Sequence, residues 1–218
     1  MPLSPEERRA LEAGARELSV ELDEGQVAGI GQYLDLLAGW NLRTNLLATK
    51  DRAGLLERHI VDSLAAASLV SEAGPGARVL DIGSGGGLPG VPLAIACPDA
   101  RITLLEPRRK KVSFLRQVSR QGSTWNMSVE GCRTDELAQR SVEPFDVAVS
   151  RVVFAPDALP AAAAPLVRAG GLLVSFTTGQ SAPAATAVAG FEAPEVQEYR
   201  LPAHPAAFQL AAWRRRKN

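Results

Sequence analysis

The chain predicts an α/β fold, a mostly parallel seven-stranded sheet with helices on both faces, preceded by an N-terminal helical segment. Three observations carry this. From residue 78 onward, short apolar β-rich runs alternate with segments of helical period, the mark of repeated βαβ units. The first run, Val79-Leu80-Asp81-Ile82, feeds the turn Gly83-Ser84-Gly85-Gly86-Gly87 and a helix start at Leu88-Pro89-Gly90. Open α/β sheets bind ligands at such strand-to-helix turns. Two further runs, 195–201 and 207–214, read as a closing antiparallel hairpin around Pro202-Ala203-His204-Pro205.

The elements follow in order. Ser4-Pro5-Glu6-Glu7 supplies an N-cap, a proline at the first helical position and acids in the first turn. A second helix over 23–40 places Val27, Ile30, Leu34 and Leu37 on one face, and a third covers 53–70. Gly74-Pro75-Gly76 breaks the chain, dividing a helical segment, 1–73, from a sheet domain, 74–218. Strands are expected at 78–82, 102–106, 127–130, 145–150 and 171–177, with helices at 91–96, 109–120, 134–140 and 158–168. The alanine- and proline-rich stretch 180–194 receives no assignment.

At 218 residues the chain accommodates one α/β domain and a small accessory segment. Its 24 basic and 24 acidic residues balance, so a general attraction to nucleic acid is excluded. Cys97 and Cys132 are the only cysteines and form no C-x-x-C pair, so neither a zinc site nor a disulfide framework is indicated. Core packing is the expected role of both. The first sixteen residues are charged and lack an apolar core, so a cytoplasmic protein without a membrane partner is expected. A monomer is expected as well.

The glycine turn narrows the ligand class. A dinucleotide fingerprint, G-x-G-x-x-G, fits at Gly83 and Gly85 but finds Leu88 in its third slot. What fits is acid-x-Gly-x-Gly-x-Gly, at Asp81, Gly83, Gly85 and Gly87. That pattern resembles the motif of Rossmann-like class I methyltransferases, which use S-adenosylmethionine. The closing hairpin is similar to theirs as well. Asp81 would then face the cofactor's cationic amino group, directly or through water. Glu106, nineteen positions beyond Gly87 at the end of the next strand, would accept from the ribose hydroxyls. The plainer alternative is a tight glycine turn with no ligand.

Several further segments together resemble one family. They are Trp40-Asn41 with Asn45-Leu46, Glu57-Arg58-His59-Ile60-Val61-Asp62-Ser63-Leu64, the run from Asp81 to Gly90, Lys110-Lys111-Val112-Ser113-Phe114-Leu115, Arg133 with its acids, and Ser150-Arg151. The family is the bacterial small-subunit ribosomal RNA guanine-N7 methyltransferases, also called glucose-inhibited division protein B. The resemblance implies methylation of guanine N7 in 16S ribosomal RNA, with naked RNA or the small ribosomal subunit as partner. It also implies cofactor contacts at Gly83 and Leu88, at Thr134 and Asp135 beside the adenine, and at Arg151 beside the transfer centre. The chain departs from the family at Thr134-Asp135, where Glu136 is a rival acid, at Val152 after Arg151, and at Thr178-Gly179 after the fifth strand.

The chemistry implied asks little of side chains. Guanine N7 is an unprotonated acceptor in the major groove. It attacks a sulfonium methyl without losing a proton, so alignment matters and a general base does not. Arg151 is accordingly the candidate positioning residue, paired to the donor's carboxylate or to a nearby acid. On a helix, His59 and Asp62 are i,i+3 neighbours that can hydrogen-bond, as a packing pair, a lid or an RNA contact. Residues 101–120 hold seven basic side chains against Glu106 alone, and Arg214-Arg215-Arg216-Lys217 forms a second cluster. Arg108, Arg109, Lys111, Arg58 and His59 are therefore candidates for RNA binding. A small-molecule methyltransferase and a non-enzymatic nucleotide-binding regulator remain the alternatives.

Overall fold

The computed structural model describes residues 2–122, 126–151, 158–178, 187–188, 190–202 and 204–217. Val152, Gly179 and most of 180–194 lie outside the described residues. Helix α1, Pro5–Glu17, starts with the expected cap: Glu7 N–H donates to Ser4 Oγ at 3.2 Å, and Ser4 N–H to Glu7 Oε2 at 2.9 Å. Helix α2, Glu24–Thr44, is capped the same way by Asp23 and Gln26 and ends at Asn45 in the left-handed region, φ +50°.

The third expected helix is not continuous. It divides into α3, Arg52–Leu55, a π-helical turn, Leu56–Val61, a 3₁₀ turn, Leu64–Ala66, and α4, Ala67–Glu72. The apolar period survives, because Leu55, Leu56, Ile60 and Leu64 are all buried. The widened turn falls where His59 and Asp62 are held by side chains from distant strands, which no local pattern encodes.

The strands are β1 Arg78–Ile82, β2 Arg101–Leu105, β3 Met127–Glu130, β4 Phe145–Arg151, β5 Val167–Thr178, β6 Glu195–Tyr199 and β7 Phe208–Arg214. They form one sheet in the order β3-β2-β1-β4-β5-β7-β6, with β7 antiparallel to both β5 and β6. Helices α5, Gly90–Ala96, α6, Arg109–Gln121, α7, Thr134–Ala138, and α8, Leu159–Ala163, make the crossovers. Helix α8 is shorter than expected and β5 begins earlier. Val167 pairs with Phe145, and the strand bulges before Leu172 meets Val147. Pairing with β4 overrides local helical preference there.

Side chains alternate between two cores. Val79, Ile102, Leu104, Val147 and Val174 face a core shared with α1, α2 and α5. Leu80, Ile82, Leu105, Ala148 and Leu173 face a second core closed by Leu137, Leu159 and Trp213. The N-terminal helices thus bury their apolar stripe on the sheet itself. Strand order reverses between β1 and β4, so a crevice opens at their C-terminal ends.

Candidate active site

The glycine turn stands at that crevice. Gly83, Gly85 and Gly87 have φ of +77°, +59° and +88°. A side chain at Gly85 would meet nothing nearer than Lys111 Nζ at 3.5 Å, so it would project into free space from a left-handed backbone. Gly90 is required for a different reason. Its N–H donates to Asp81 Oδ2 at 2.9 Å, and a Cβ there would lie 2.6 Å from that oxygen and 2.3 Å from Leu104 Cδ2. Tyr33 of α2 donates its hydroxyl to Gly86 O at 2.6 Å and holds the turn from below.

Asp81 is fully buried, and its Oδ1 has no hydrogen-bond partner. Burial pushes its carboxyl up to about 7. That oxygen lies buried beneath the glycine cradle, and a cationic amino group bound above the turn would satisfy it directly or through water. Glu106, also buried, accepts from Gly85 N–H at 3.0 Å and Arg108 N–H at 2.9 Å, with Lys111 Nζ 4.0 Å away. It holds the turn and α6 in register.

Two cavities meet at Gly83. One, about 510 Å³, is lined by Leu105, Thr134, Asp135, Ala138 and Ala162. Its apolar slot between α7 and α8 suits a flat base. Asp135 lines it, whereas Glu136 turns back toward the N–H of Arg133 at 3.4 Å. The other cavity, about 390 Å³, is lined by Gly85, Leu88, Lys111, Arg58, His59, Asp62, Arg151, Phe176, Tyr199 and Phe208. A larger open groove, about 930 Å³, lies at the opposite end of β2 and β3. There Asn126 and Gln26 are bonded to main-chain carbonyls, and the groove lies away from the glycine turn.

Arg151 ends β4 at the second cavity. Its Nη1 donates to Asp62 Oδ2 at 3.0 Å, and its Nη2 lies 3.2 Å from His59 Nδ1. The Arg151 and Asp62 side chains are only 12% and 8% exposed, so this is a buried ion pair. Asp62 also accepts from the Tyr199 hydroxyl at 2.5 Å. Burial holds Asp62 above the usual carboxylate range, and Arg151 is the main influence opposing that rise. A guanidinium only donates, so His59 Nδ1 is the acceptor and its proton sits on Nε2, facing Thr49 Oγ1 at 3.0 Å. Burial, then Arg151, pushes the imidazole down to about 4. The expected His59–Asp62 bond is absent among the described residues. The two meet through Arg151 instead, because the π turn aims both at β4.

The basic candidates separate. Arg108, Arg109 and Lys110 are exposed at the start of α6, beside the crevice, while Lys111 reaches into it. No acid stands in that first turn, so these cations oppose the helix dipole and concentrate positive potential there. The arginine-rich tail does not join them. Arg214 pairs with Leu172, at the end of the sheet away from the crevice, and Arg215 lies over the Phe191 ring. Cys97 and Cys132 are buried, and burial raises both thiols.

This sheet order, with a glycine turn after β1 and acids ending β1 and following β2, defines a Rossmann-like class I methyltransferase, a class that uses S-adenosylmethionine. Solved structures share the fold. A predicted O-methyltransferase from Agrobacterium tumefaciens superposes with a TM-score of 0.57 at 20% identity, covering 70% of this chain and 80% of its own. Aeropyrum pernix fibrillarin, solved with natively bound S-adenosyl-L-methionine, gives 0.51 at 19%, covering 69% and 73%. The GidB family, rRNA small subunit methyltransferase G, matches residues 26–193, and the chain belongs to it. Proteins named ribosomal RNA small subunit methyltransferase G are 40% identical over 182 residues in Sorangium cellulosum and 44% over 138 in Ectopseudomonas mendocina. The one in Ralstonia nicotianae is 50% identical over 115 residues. The matches cover 83%, 63% and 50% of this chain and 75%, 63% and 52% of those relatives.

Sequence reasoning missed Tyr33, Thr49 and Tyr199 as parts of the site. Tyr33 sits at core spacing in α2, so its hydroxyl gave no signal. Tyr199 is 137 positions from Asp62, and only the sheet brings the two together.

Proposed function

We propose that this chain is a cytoplasmic, monomeric enzyme that transfers the methyl group of S-adenosylmethionine to N7 of a guanine in 16S ribosomal RNA, free or within the small subunit. Membership of the family supports the reaction class. One observation carries the choice of acceptor atom. Beside the basic Arg58 and Lys111, the described carboxylate, imidazole and phenol at the second cavity are tied to one another: Arg151 to Asp62 and His59, and Asp62 to Tyr199. None stands free as a base, and N7 has no proton to give.

The bound cofactor supplies a methyl group on a cationic sulfonium. Gly83, Gly85, Asp81 and Glu106 would hold its ribose and amino groups, and Leu88 its body, with Thr134 and Asp135 at the adenine. Asp62 neutralises Arg151, so a sulfonium bound beside the guanidinium would meet no net repulsion. Arg58, Arg108, Arg109 and Lys111 present positive charge to the RNA backbone. No described helix is long and apolar enough to cross a membrane.

The test is transfer of labelled methyl groups to small subunits and to free ribosomal RNA, followed by mapping of the modified base. Label at a guanine N7 in 16S RNA is expected. Label confined to small-molecule acceptors, or calorimetric binding of NAD in place of S-adenosylhomocysteine, overturns the reading. Gel filtration tests the monomer.

A further inference from the structure

Tyr199 stands at the end of β6, beyond the segment that matches the family, which stops at residue 193. Its ring stacks on Phe208 of β7, centroids 5.7 Å apart at 25°. That stack aims the hydroxyl at Asp62 Oδ1, 2.5 Å away. Burial and the adjacent carboxylate keep the phenol protonated, so it remains a donor. With Oδ1 occupied, Asp62 offers Oδ2 to Arg151 Nη1 at 3.0 Å. On its far side the guanidinium meets His59, which is braced in turn by Thr49. One line of hydrogen bonds therefore runs from the closing hairpin, through the π turn, to the end of β4.

A carboxylate held by Arg151 alone could turn about its χ2, and the guanidinium, anchored otherwise only to His59 through Nδ1 at 3.2 Å and the main-chain oxygen at 3.4 Å, would lose its fixed carboxylate partner. A second donor from a rigid strand removes that freedom. We propose that Tyr199 is a positioning residue of the transfer centre, locking the Asp62 carboxylate and thereby fixing the Arg151 guanidinium at the mouth of the cavity. The proposal rests on the reading of that cavity given above.

Tyr199→Phe keeps the ring and its stack and removes only the hydroxyl. Two readouts test it. In nitrogen-15 NMR of the arginine side chains, the Arg151 Nη signals should be distinct and slowly exchanging in the native protein and merge in Tyr199→Phe. In methyl transfer, kcat should fall roughly ten- to a hundredfold, the usual weight of a hydrogen bond to a charged group, while the cofactor KM changes little. Unchanged Arg151 signals overturn the proposal, as does an unchanged kcat or a fall in kcat with the signals intact. If Tyr199→Phe does not fold, Asp62→Asn, which weakens the grip on Arg151, must free the guanidinium in the same way, or the proposal falls. A native protein that methylates no ribosomal RNA overturns the functional reading instead, and the NMR still decides whether Tyr199 holds Arg151.

Discussion

Arg151→Met offers the sharpest test of the site, because it removes a charge while leaving most of the volume filled. Asp62 would then be a carboxylate 8% exposed, with only Tyr199 as donor. Breaking a buried pair from one side costs about 3–5 kcal/mol. Protonation of Asp62 caps that loss. Neutralising an ordinary carboxyl of pKa about 3.9 costs about 5.6 kcal/mol at pH 8 but about 1.5 kcal/mol at pH 5. The variant should thus lose about 3–5 kcal/mol at pH 8 and no more than about 1.5 kcal/mol at pH 5. The sign follows from linkage. Burial already raises Asp62 in the folded protein, and losing Arg151 raises it further. The variant's folded state then holds a proton that the native protein and the unfolded chain release, so the deficit grows as pH climbs from the native protein's raised Asp62 pKa to the variant's still higher one. Reversible urea unfolding at the two pH values measures it. Equal deficits at both, or a deficit below about 1 kcal/mol at pH 8, would refute a buried, coupled pair. Adding Asp62→Leu should recover most of the stability and none of the methyl transfer, because an apolar pair packs but does not position.

Three further outcomes are expected. Gly85→Ala places a Cβ in the cradle from a left-handed backbone that costs an alanine about 1–2 kcal/mol, and calorimetry should show S-adenosylhomocysteine affinity down about tenfold or more. A folded variant with native affinity would exclude this turn as the cofactor site. The His59 imidazole, held down to about 4, should stay neutral in NMR titrations down to pH 5. Its folded pKa lies below the unfolded value, so its share of stability is lost as pH falls from about 6.5 toward 4, and titration near 6.5 would show an open site. Reversing Arg108, Arg109 and Lys110 to Glu should flatten the salt dependence of RNA binding by about 0.7–0.9 log units for each phosphate no longer neutralised, leaving cofactor affinity intact. The same change at Arg214 and Arg216, at the far end of the sheet, should do little. The opposite ranking would move the RNA surface to the tail.

Much of the fold was legible because its signals are local. Apolar alternation with turn residues between the runs marked all seven strands, and Ser4 and Asp23 marked helix starts through caps that bond within three residues. The cradle was legible for the same reason: Asp81, the glycines and Gly90 lie within ten positions and make one turn. The early start of β5 was not legible, because Val167 joins the sheet only through Phe145 on another strand.

The sequence by itself determined the α/β class, the cradle and the acids at the ends of β1 and after β2, since each rests on neighbours in the chain. Tertiary structure alone decided what those residues do together. It gave Arg151 a partner in Asp62, the residue that follows the π turn, and it turned His59 into an acceptor for a guanidinium. It moved the arginine-rich tail away from the crevice, because β7 runs antiparallel and its end lies beside the start of β5. It also brought Tyr199 to Asp62 across 137 positions. The physical reason is common to all four. A hydrogen bond or ion pair between distant residues depends on where the sheet places them, and strand order is set by burial over the whole core and not by any short stretch of chain.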